Sequence, residues 1–314
     1  MKIATSVLVA GAVGLWGFAA QAQVVSVGTT NGGAVAQIGA TVSGVVSGHS
    51  RFQMRPAKMS GTQQYIDAVD SGRIPFGISN IMQYYMATVG EGPSHGKKHP
   101  HLRLVATLTP FIQGVLVRKD SGINSIADLK GKRIPSGYGS SPLFTTFWQA
   151  FLHNAGISYK DVKQVPVASL PKSWNAFKQG EVDAVIAAAG SAAVREMNAV
   201  ISGGVKYLPI KDTPALRKAL PQTEIVTVQP SPKMDGVIAP TPLHTYEVVL
   251  FAGDSVKDKT VRAVAEALDK NAAELKQGGA LWANYNPKDI AKDYGLAYHP
   301  GAVSYYEQAG RMKK

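Results

Sequence analysis

Residues 24–46 read VVSVGTTNGGAVAQIGATVSGVV, and this stretch decides the fold. Residues 24–27 form a short apolar run that is typical of a buried strand, and residues 28–33 have the Gly, Thr and Asn content of a tight loop. The apolar residues that follow recur at the spacing of one helix face, namely Val35, Ile38, Val42, Val45 and Val46. The stretch therefore predicts a strand, a glycine loop and a helix.

The same pattern returns at residues 132–152, KRIPSGYGSSPLFTTFWQAFL. A strand is predicted at its start and a glycine loop at 136–141. Ser141 suits the N-cap of the next helix and Pro142 its first position. Because strands that alternate with helices form parallel sheets covered by helices, the two units predict two α/β lobes, each with a mainly parallel sheet flanked by helices.

Other segments extend this pattern. Strands are predicted at 74–79, 102–108, 114–117, 183–189, 205–210 and 246–252, and helices near 62–71, 125–129, 173–179, 191–201, 256–275, 286–294 and 301–310. Pro110 is expected to separate the strands at 102–108 and 114–117. Five prolines make 221–244 the region least suited to regular structure, and we expect a connection between lobes there. Residues 87–101, with three histidines, are expected to form a solvated surface loop.

The N-terminus has the features of a secretory signal peptide. Lys2 supplies a positive charge, Ile3 to Ala20 carries none, and Ala20-Gln21-Ala22 has the small residues of a cleavage site. A retained membrane anchor is the alternative, since the uncharged run could nearly span a bilayer. We expect cleavage near Ala22-Gln23 and export of the mature chain. We expect no membrane-spanning segment after processing.

The charge balance and the missing cysteines narrow the function. The chain has 33 Lys and Arg residues against 21 Asp and Glu, for a formal net charge of +12. These basic residues are scattered without a stripe along any helix, so we expect no nucleic-acid partner; a basic exported protein attracts small anions instead. The absence of cysteine excludes disulfides, thiol nucleophiles and Cys-ligated metal centres.

The sequence lacks complete motifs for catalysis and for nucleotide binding. A phosphate-binding loop would need Lys and Ser or Thr where Ala34-Val35 stand, and neither a zinc-protease nor a serine-hydrolase motif occurs. His244 and Asp183 have no evident nucleophile beside them. We therefore expect no catalytic residues, no metal and no cofactor, although an exported enzyme on the same lobes stays an alternative.

The glycine loops themselves suggest a binding function. The first N–H groups of a helix lack intrahelical partners and favour negative charge, so loops 28–34 and 136–143 are candidate anion sites. Ser60-Gly61-Thr62 offers a third helix start. The alternative is that these residues only make turns and cap helices. Trp174 is predicted as either core or cleft wall, and Arg55 as either a carboxylate partner or a surface residue.

Four segments, in this order, resemble solute-binding proteins of the TAXI type (TRAP-associated extracytoplasmic immunogenic proteins). The first segment is Val27–Gly33 with Ile38-Gly39, and the second runs from Ser60–Thr62 through Ala68–Gly72 to Phe76–Asn80. The third is Val117–Ile123 with Ala127–Lys132 and the Gly137–Ser141 loop. The fourth is His299–Ala302 with Tyr305–Glu307. The resemblance spans nearly the whole mature chain. It departs from the family pattern at Ala34-Val35, Gly61–Gln64 and Gly190–Ala192, where ligand is expected, so no particular substrate such as glutamate carries over.

The resemblance implies a two-lobed periplasmic binding protein type II fold with a ligand cleft between lobes. The implied division is signal peptide 1–22, lobe I at 23–112 and 228–314, and lobe II at 113–227. The implied partners are a small carboxylate-type ligand (carboxylate or amino acid) and an ion-gradient-driven TRAP membrane subunit with fused small and large permease components, and the receptor is expected to be a monomer. The alternatives are a tripartite tricarboxylate-type receptor and a sensor's ligand-supplying subunit.

Twenty residues follow as candidate ligand contacts. They are Thr29, Thr30, Asn31, Gly32, Gly33, Ser60, Gly61, Thr62, Gln63, Ser79, Asn80, Gly137, Tyr138, Gly139, Ser140, Ser141, Phe144, Trp174, Gly190 and Tyr246. The loop amides and hydroxyls are expected to bind the carboxylate. Tyr138, Phe144, Trp174 and Tyr246 are expected to shape the rest of the site.

Overall fold

The computed structural model describes residues 23–312 of the chain. The predicted signal peptide, 1–22, lies outside the described residues. Among helices within 23–312, none has both the length and the apolar character needed to cross a membrane.

Strands and helices alternate along most of this range. The strands are β1 (Gln23–Thr30), β2 (Phe52–Met59), β3 (Phe76–Asn80), β4 (Leu102–Arg118), β5 (Arg133–Gly137), β6 (Lys163–Val167), β7 (Ala184–Ala188), β8 (Val205–Tyr207), β9 (Glu224–Val228) and β10 (Thr241–Gly253). The α-helices are α1 (Gly33–His49), α2 (Thr62–Asp70), α3 (Ile81–Val89), α4 (Leu143–Asn154), α5 (Leu170–Lys178), α6 (Ala192–Val200), α7 (Pro214–Ala219), α8 (Asp258–Lys270), α9 (Ala272–Gln277) and α10 (Pro300–Gln308). Short 3-10 helices lie at Gly92–Ser94, Ile126–Leu129, Tyr159–Asp161, Ala280–Trp282 and Pro287–Asp289.

One mixed sheet connects the two halves of the molecule. Its order is β2-β1-β3-β10-β4-β7, with β8 paired to β4 and β9 paired to β10, while β5 and β6 form a separate parallel pair. β1 lies parallel to β2 and β3, but β4 and β10 run antiparallel to all their partners. The α/β class is confirmed, and the sheet is mixed where we predicted mainly parallel ones. We call β1–β3 with α1–α3 the first lobe, and β5–β9 with α4–α7 the second lobe.

The prediction that Pro110 separates two strands is wrong. β4 runs without a break through Pro110, which pairs with Glu247 of β10 beside a register shift between Glu247 and Val249. A bulge is one of the few places inside a sheet where a residue without an N–H is tolerated. β4 can therefore pair with β10 at one end and with β7 at the other.

The proline-rich segment 221–244 also contains more structure than predicted. β9 lies within it, and β10 already begins at Thr241. Pro242 fits because residues 241–243 of β10 pair with β9 alone, so only one side of the strand needs hydrogen-bond donors. The predicted helix at 256–275 is likewise interrupted at Asn271, whose side-chain amide donates to the carbonyl of Ala267.

The histidine loop is not fully solvated. His99 is buried, and its Nε2 lies 2.8 Å from Oδ1 of Asp67. Burial acts to raise the pKa of Asp67, but the hydrogen bonds from Lys97 and His99 outweigh it and lower that pKa. The loop is thus anchored to α2 by an ionic contact that its composition did not predict.

The predicted helix faces form the core of each lobe. Ile38, Val42 and Val46 of α1 are fully buried against the first-lobe sheet. In the second lobe, Phe147, Trp148, Phe151 and Leu152 of α4 are buried as well. These rigid helices fix the loops that precede them, so the positions of the glycine loops follow from core packing.

Candidate functional site

A cavity of about 260 Å³ lies between the two lobes. It is bordered by the loops that follow β1, β2 and β3, by the start of α4, by the start of α5, and by the middle of β4 and β10. Its lining residues are Thr30, Asn31, Gly32, Gly33, Ala34, Val35, Ser60, Thr62, Asn80, Gln83, Phe111, Gln113, Ser140, Ser141, Pro142, Leu143, Phe144, Phe147, Ser169, Leu170, Pro171, Lys172, Trp174, Asn175, Ala187, Ala188 and Tyr246. Both lobes therefore contribute to one enclosed space.

Five helices begin at this cavity, namely α1, α2, α3, α4 and α5. Asn80 caps α3, since its side chain accepts a hydrogen bond from the N–H of Gln83 at 2.6 Å. The other four have no side-chain cap. Helices that begin elsewhere in the second lobe, α6 and α7, are capped by Ser191 and Thr213. The starts of α8 and α9, which do not line the cavity, also lack a side-chain cap. Four uncapped helix starts at one cavity nevertheless attract a negatively charged ligand.

Free backbone amides occur at the helix starts of the first lobe. Within residues 23–312, the N–H groups of Gly32 and Gly33 have no protein acceptor, and those of Thr62 and Gln63 have none either. In the second-lobe loop before α4, three amides are already used. Tyr138 donates to Val167, Ser140 donates to Ala168, and Ser141 donates to Tyr138. An anion can therefore bind backbone amides at α1 and α2.

The cavity lining carries one formal charge, on Lys172. In the described part of the chain, the lysines that form ion pairs are Lys97, Lys178, Lys270 and Lys292, so Lys172 is left to interact with ligand or solvent. None of the described lining residues is Asp, Glu, Arg or His. The electrostatic potential of the cavity thus favours anions.

Aromatic side chains form the apolar part of the wall. The ring of Tyr246 lies between two parallel rings, with centroids 5.1 Å from Phe111 and 5.9 Å from Phe147. Trp174 forms both core and cleft wall, because it is 8% exposed and lines the cavity while its Nε1 donates to the carbonyl of Ile186 at 2.9 Å. Such fixed rings give the cavity a defined shape.

A buried polar chain lies behind this wall. The hydroxyl of Tyr246 donates to Oε1 of Gln113 at 3.3 Å, and Nε2 of Gln113 lies 3.4 Å from Nδ1 of His244. Burial lowers the pKa of His244 to about 3, so this imidazole is neutral at physiological pH. Asp183 lies apart from it, with Oδ1 2.6 Å from Nη2 of Arg133.

The rims of the two lobes touch, so the cleft is closed. A Cβ added at Gly61 would overlap the carbonyl oxygen of Ser140, and one at Gly33 would lie 2.8 Å from the ring of Trp174. Gly33 also has φ of +79°, which favours glycine. These two glycines permit the approach of the lobes, a role that the sequence analysis did not assign to them.

Twelve of the twenty candidate residues line the cavity. They are Thr30, Asn31, Gly32, Gly33, Ser60, Thr62, Asn80, Ser140, Ser141, Phe144, Trp174 and Tyr246. Contacts with a ligand remain a prediction for all of them.

The other eight lie outside the lining. Thr29 and Ser79 are buried, Gly61 forms the rim, and Gly137 and Gly139 belong to the second-lobe loop behind it. Gln63 donates to Oγ of Ser94 at 3.3 Å, Tyr138 is fully buried with its hydroxyl accepting from Nε1 of Trp148 at 3.1 Å, and Gly190 packs near Ala280. Arg55 is exposed on β2 and is not part of the lining.

Several lining residues were missed by the sequence analysis. Phe147 lies inside a predicted helix, where nothing local distinguishes cavity from core. Phe111 and Gln113 lie in the break that was predicted around Pro110, and Gln83 lies in α3, a helix that was not predicted. Ser169, Lys172 and Asn175 belong to the start of α5. The sequence Ser169-Leu170-Pro171 repeats the Ser and Pro signature of the α4 start, and that signal could have found them.

Comparisons with known proteins identify the family and the fold of the chain. A profile of the NMT1-like family matches residues 27–310. The chain belongs to the NMT1-like family. Over 113 residues it is 31% identical to a Haemophilus influenzae protein named "Putative thiamine biosynthesis protein", and the match covers 35% of this chain and 34% of that protein. This NMT1-like chain thus spans about a third of the length of that curated relative.

Solved structures resemble the NMT1-like chain over most of its length. A TctC solute-binding protein from Polaromonas has a TM-score of 0.51 at 15% identity, covering 92% of this chain and 96% of that one. An ancestral arginine-binding protein bound to arginine has a TM-score of 0.51 at 16% identity, covering 83% and 99%. A Bordetella bronchiseptica RB50 protein has a TM-score of 0.55 at 16% identity, covering 91% and 98%. The predicted two-lobed fold of periplasmic solute-binding proteins is confirmed.

Proposed function

We propose that this chain is a periplasmic receptor that captures a small organic anion between its lobes and delivers it to an ion-gradient-driven TRAP membrane subunit, as TAXI-type proteins do. The observation that carries the proposal is the closed cavity at which four uncapped helices begin. The general acids and bases that enzymes use most often are His, Asp and Glu. The described lining offers neither a carboxylate nor an imidazole.

The first lobe supplies the primary anion contacts in this proposal. Gly32, Gly33 and Thr62 present free N–H groups, and charge-assisted hydrogen bonds from such groups are stronger than neutral ones. The second lobe adds Ser140, Ser141 and Lys172 when it closes. Ligand then stabilises the closed state, since only that state offers contacts from both lobes.

The cellular setting and the chain division belong to the same proposal. Removal of the signal peptide 1–22 would release a periplasmic chain beginning at Gln23. Lobe I would comprise 23–112 and 228–314, and lobe II 113–227. The continuous strands β4 and β10 support a hinge between lobes, because they pair with each other while β10 also pairs with β3 of the first lobe and β4 with β7 of the second.

A thermal-shift screen of the mature chain, unfolded and refolded to remove bound ligand, tests the receptor function. The panel contains monocarboxylates, dicarboxylates, amino acids, sulfonates and neutral controls. A ligand at 100 times its dissociation constant stabilises by about 2.7 kcal/mol. A shift confined to anions supports the proposal, whereas stabilisation by neutral or cationic compounds alone contradicts it. Thiamine belongs in the panel because of the relative's name, and its permanent positive charge should prevent binding.

Reconstituted uptake tests the proposed partner. A fused TRAP membrane subunit encoded beside this gene is placed in vesicles with the mature chain and the ligand from the screen. Uptake that needs both the receptor and an ion gradient supports the assignment. Uptake through a tricarboxylate-type permease, or signalling through a sensor without uptake, contradicts the TRAP assignment and leaves the receptor function intact.

A further inference from the structure

The cavity lining combines two kinds of group in a way that restricts the ligand. Free N–H groups of the first lobe and Lys172 of the second lobe make the lining electropositive. Phe111, Phe144, Trp174 and Tyr246 form its apolar part. The described lining residues include no carboxylate.

We propose that the ligand of this cavity is an organic anion with an apolar body and no ammonium group, so that free amino acids are excluded. This inference rests on the proposed receptor function and narrows its ligand class. It follows from the composition of the lining and from the directions of the helices that begin there.

The exclusion of amino acids is electrostatic. An α-ammonium within 3 Å of the carboxylate that it accompanies would lie beside the starts of α1 and α2, where the helix dipoles are positive. Burying an ammonium without a carboxylate partner is costly. The lining amides of Asn31, Gln83 and Asn175 can accept hydrogen bonds, but they cannot neutralise the charge.

The apolar body is inferred from the aromatic and aliphatic part of the lining. Phe144 and Val35 are half-buried and line the cavity, and Phe111 and Tyr246 stack on each other there. A ligand with a second carboxylate would bring a second negative charge to a lining whose one formal charge among the described residues is Lys172, and that carboxylate would lose its hydration against these rings. An apolar chain or ring gains from burial there instead.

Matched ligand pairs test the inference without changing the protein. Calorimetric titration of the refolded mature chain compares 3-phenylpropanoate with L-phenylalanine, 4-methylpentanoate with L-leucine, and glutarate with L-glutamate. Within each pair only the ammonium differs, and we expect the amino acid to bind at least about tenfold more weakly. We also expect 3-phenylpropanoate to bind more tightly than glutarate.

Each result has a distinct meaning. Equal or tighter binding of an amino acid overturns the inference while the receptor function stands. Tighter binding of glutarate than of 3-phenylpropanoate overturns the apolar body. Failure of every acid and amino acid to bind overturns both this inference and the proposed function.

A variant can invert the preference. Gln83→Glu places a carboxylate in the lining. We expect it to weaken the binding of 3-phenylpropanoate and to strengthen the binding of L-phenylalanine. The ratio of the affinity for 3-phenylpropanoate to that for L-phenylalanine should fall by at least about tenfold. Gln277→Glu makes the same change at an exposed position of α9 and should leave the ratio unchanged. An unchanged ratio in a folded Gln83→Glu protein contradicts the inference. If that variant does not fold, the wild-type pairs decide.

Discussion

The first-lobe loops and the second-lobe loop are similar in sequence and different in use. Both contain Gly, Ser or Thr before a helix, and both border the cavity. In the first lobe, the N–H groups of Gly32, Gly33 and Thr62 are left without protein acceptors. In the second lobe, the N–H groups of Ser140 and Ser141 are bonded within the lobe. The comparison teaches that similar glycine loops can differ in whether their backbone amides are left to bind a ligand.

The largest expected effect on ligand affinity comes from the contact between the rims of the two lobes. Gly61→Ala adds a methyl group where the carbonyl of Ser140 lies, so the cleft cannot close. We expect ligand affinity to fall by about a hundredfold, as expected when the closed state becomes inaccessible. Calorimetric titration with the ligand from the screen measures this. Gly139→Ala is the matched control, because an added Cβ meets nothing within 4 Å in the described part of the chain. Similar affinities for the two variants would contradict the role of Gly61.

The buried imidazole of His244 on β10 should make the stability of the protein depend on pH. Because burial lowers the pKa of His244 to about 3, the unfolded chain binds a proton below pH 6.5 that the folded chain does not. Wild-type stability is therefore full above about pH 6.5 and falls as the pH falls towards 3, by about 2 kcal/mol at pH 5 from this group.

His244→Phe removes this titration and keeps a ring against Phe147 and Phe151. Urea unfolding at pH 7 and pH 5 should show a smaller loss of stability for the variant than for the wild type. Equal losses in the two proteins would show that His244 is not the buried neutral group described above.

A smaller effect tests whether Tyr138, in the second-lobe loop, contributes to core packing or to ligand binding. Tyr138 was predicted to contact ligand, but its hydroxyl accepts from Nε1 of Trp148 in the core. Tyr138→Phe leaves that N–H unpaired and should cost about 1–2 kcal/mol of unfolding free energy. Ligand affinity should stay within about twofold, since no lining contact changes. A large loss of affinity with unchanged stability would return Tyr138 to the binding site.

The smallest expected effect concerns the exposed charge. Lys172→Gln should lower the affinity for an anionic ligand by about threefold to fivefold at low salt. The effect is small because an exposed charge contributes less than about 1 kcal/mol to binding and is screened by salt. Titrations at two salt concentrations measure the difference. Lys163→Gln, on β6 and outside the lining, is the control. If Lys163→Gln had the same effect, net charge and not the position of Lys172 would explain the result.

The sequence predicted the elements better than the directions of side chains. The apolar spacing of Ile38, Val42 and Val46 located α1, and its glycine loop located the cavity. Tyr138 and Phe144 lie in and after one loop, yet one is buried and the other lines the cavity. Their difference depends on contacts with distant residues.

Long-range pairing also explains what was missed in the sheet. Pro110 is compatible with β4 only because the opposite strand has a bulge at Glu247, more than 130 residues later. Gln113 and Phe111 reach the cavity through the same pairing. No local pattern contains that information, because the register is set by the partner strand.

Hydrogen exchange with and without ligand tests the central claim most directly. The free amides at the start of α1 and α2, residues 32–34 and 62–63, should exchange more slowly when ligand is bound. The capped starts of α6 and α7 should be unchanged. A ligand that stabilises the protein while residues 32–34 and 62–63 exchange as before would contradict the claim that the uncapped helix starts hold an anion.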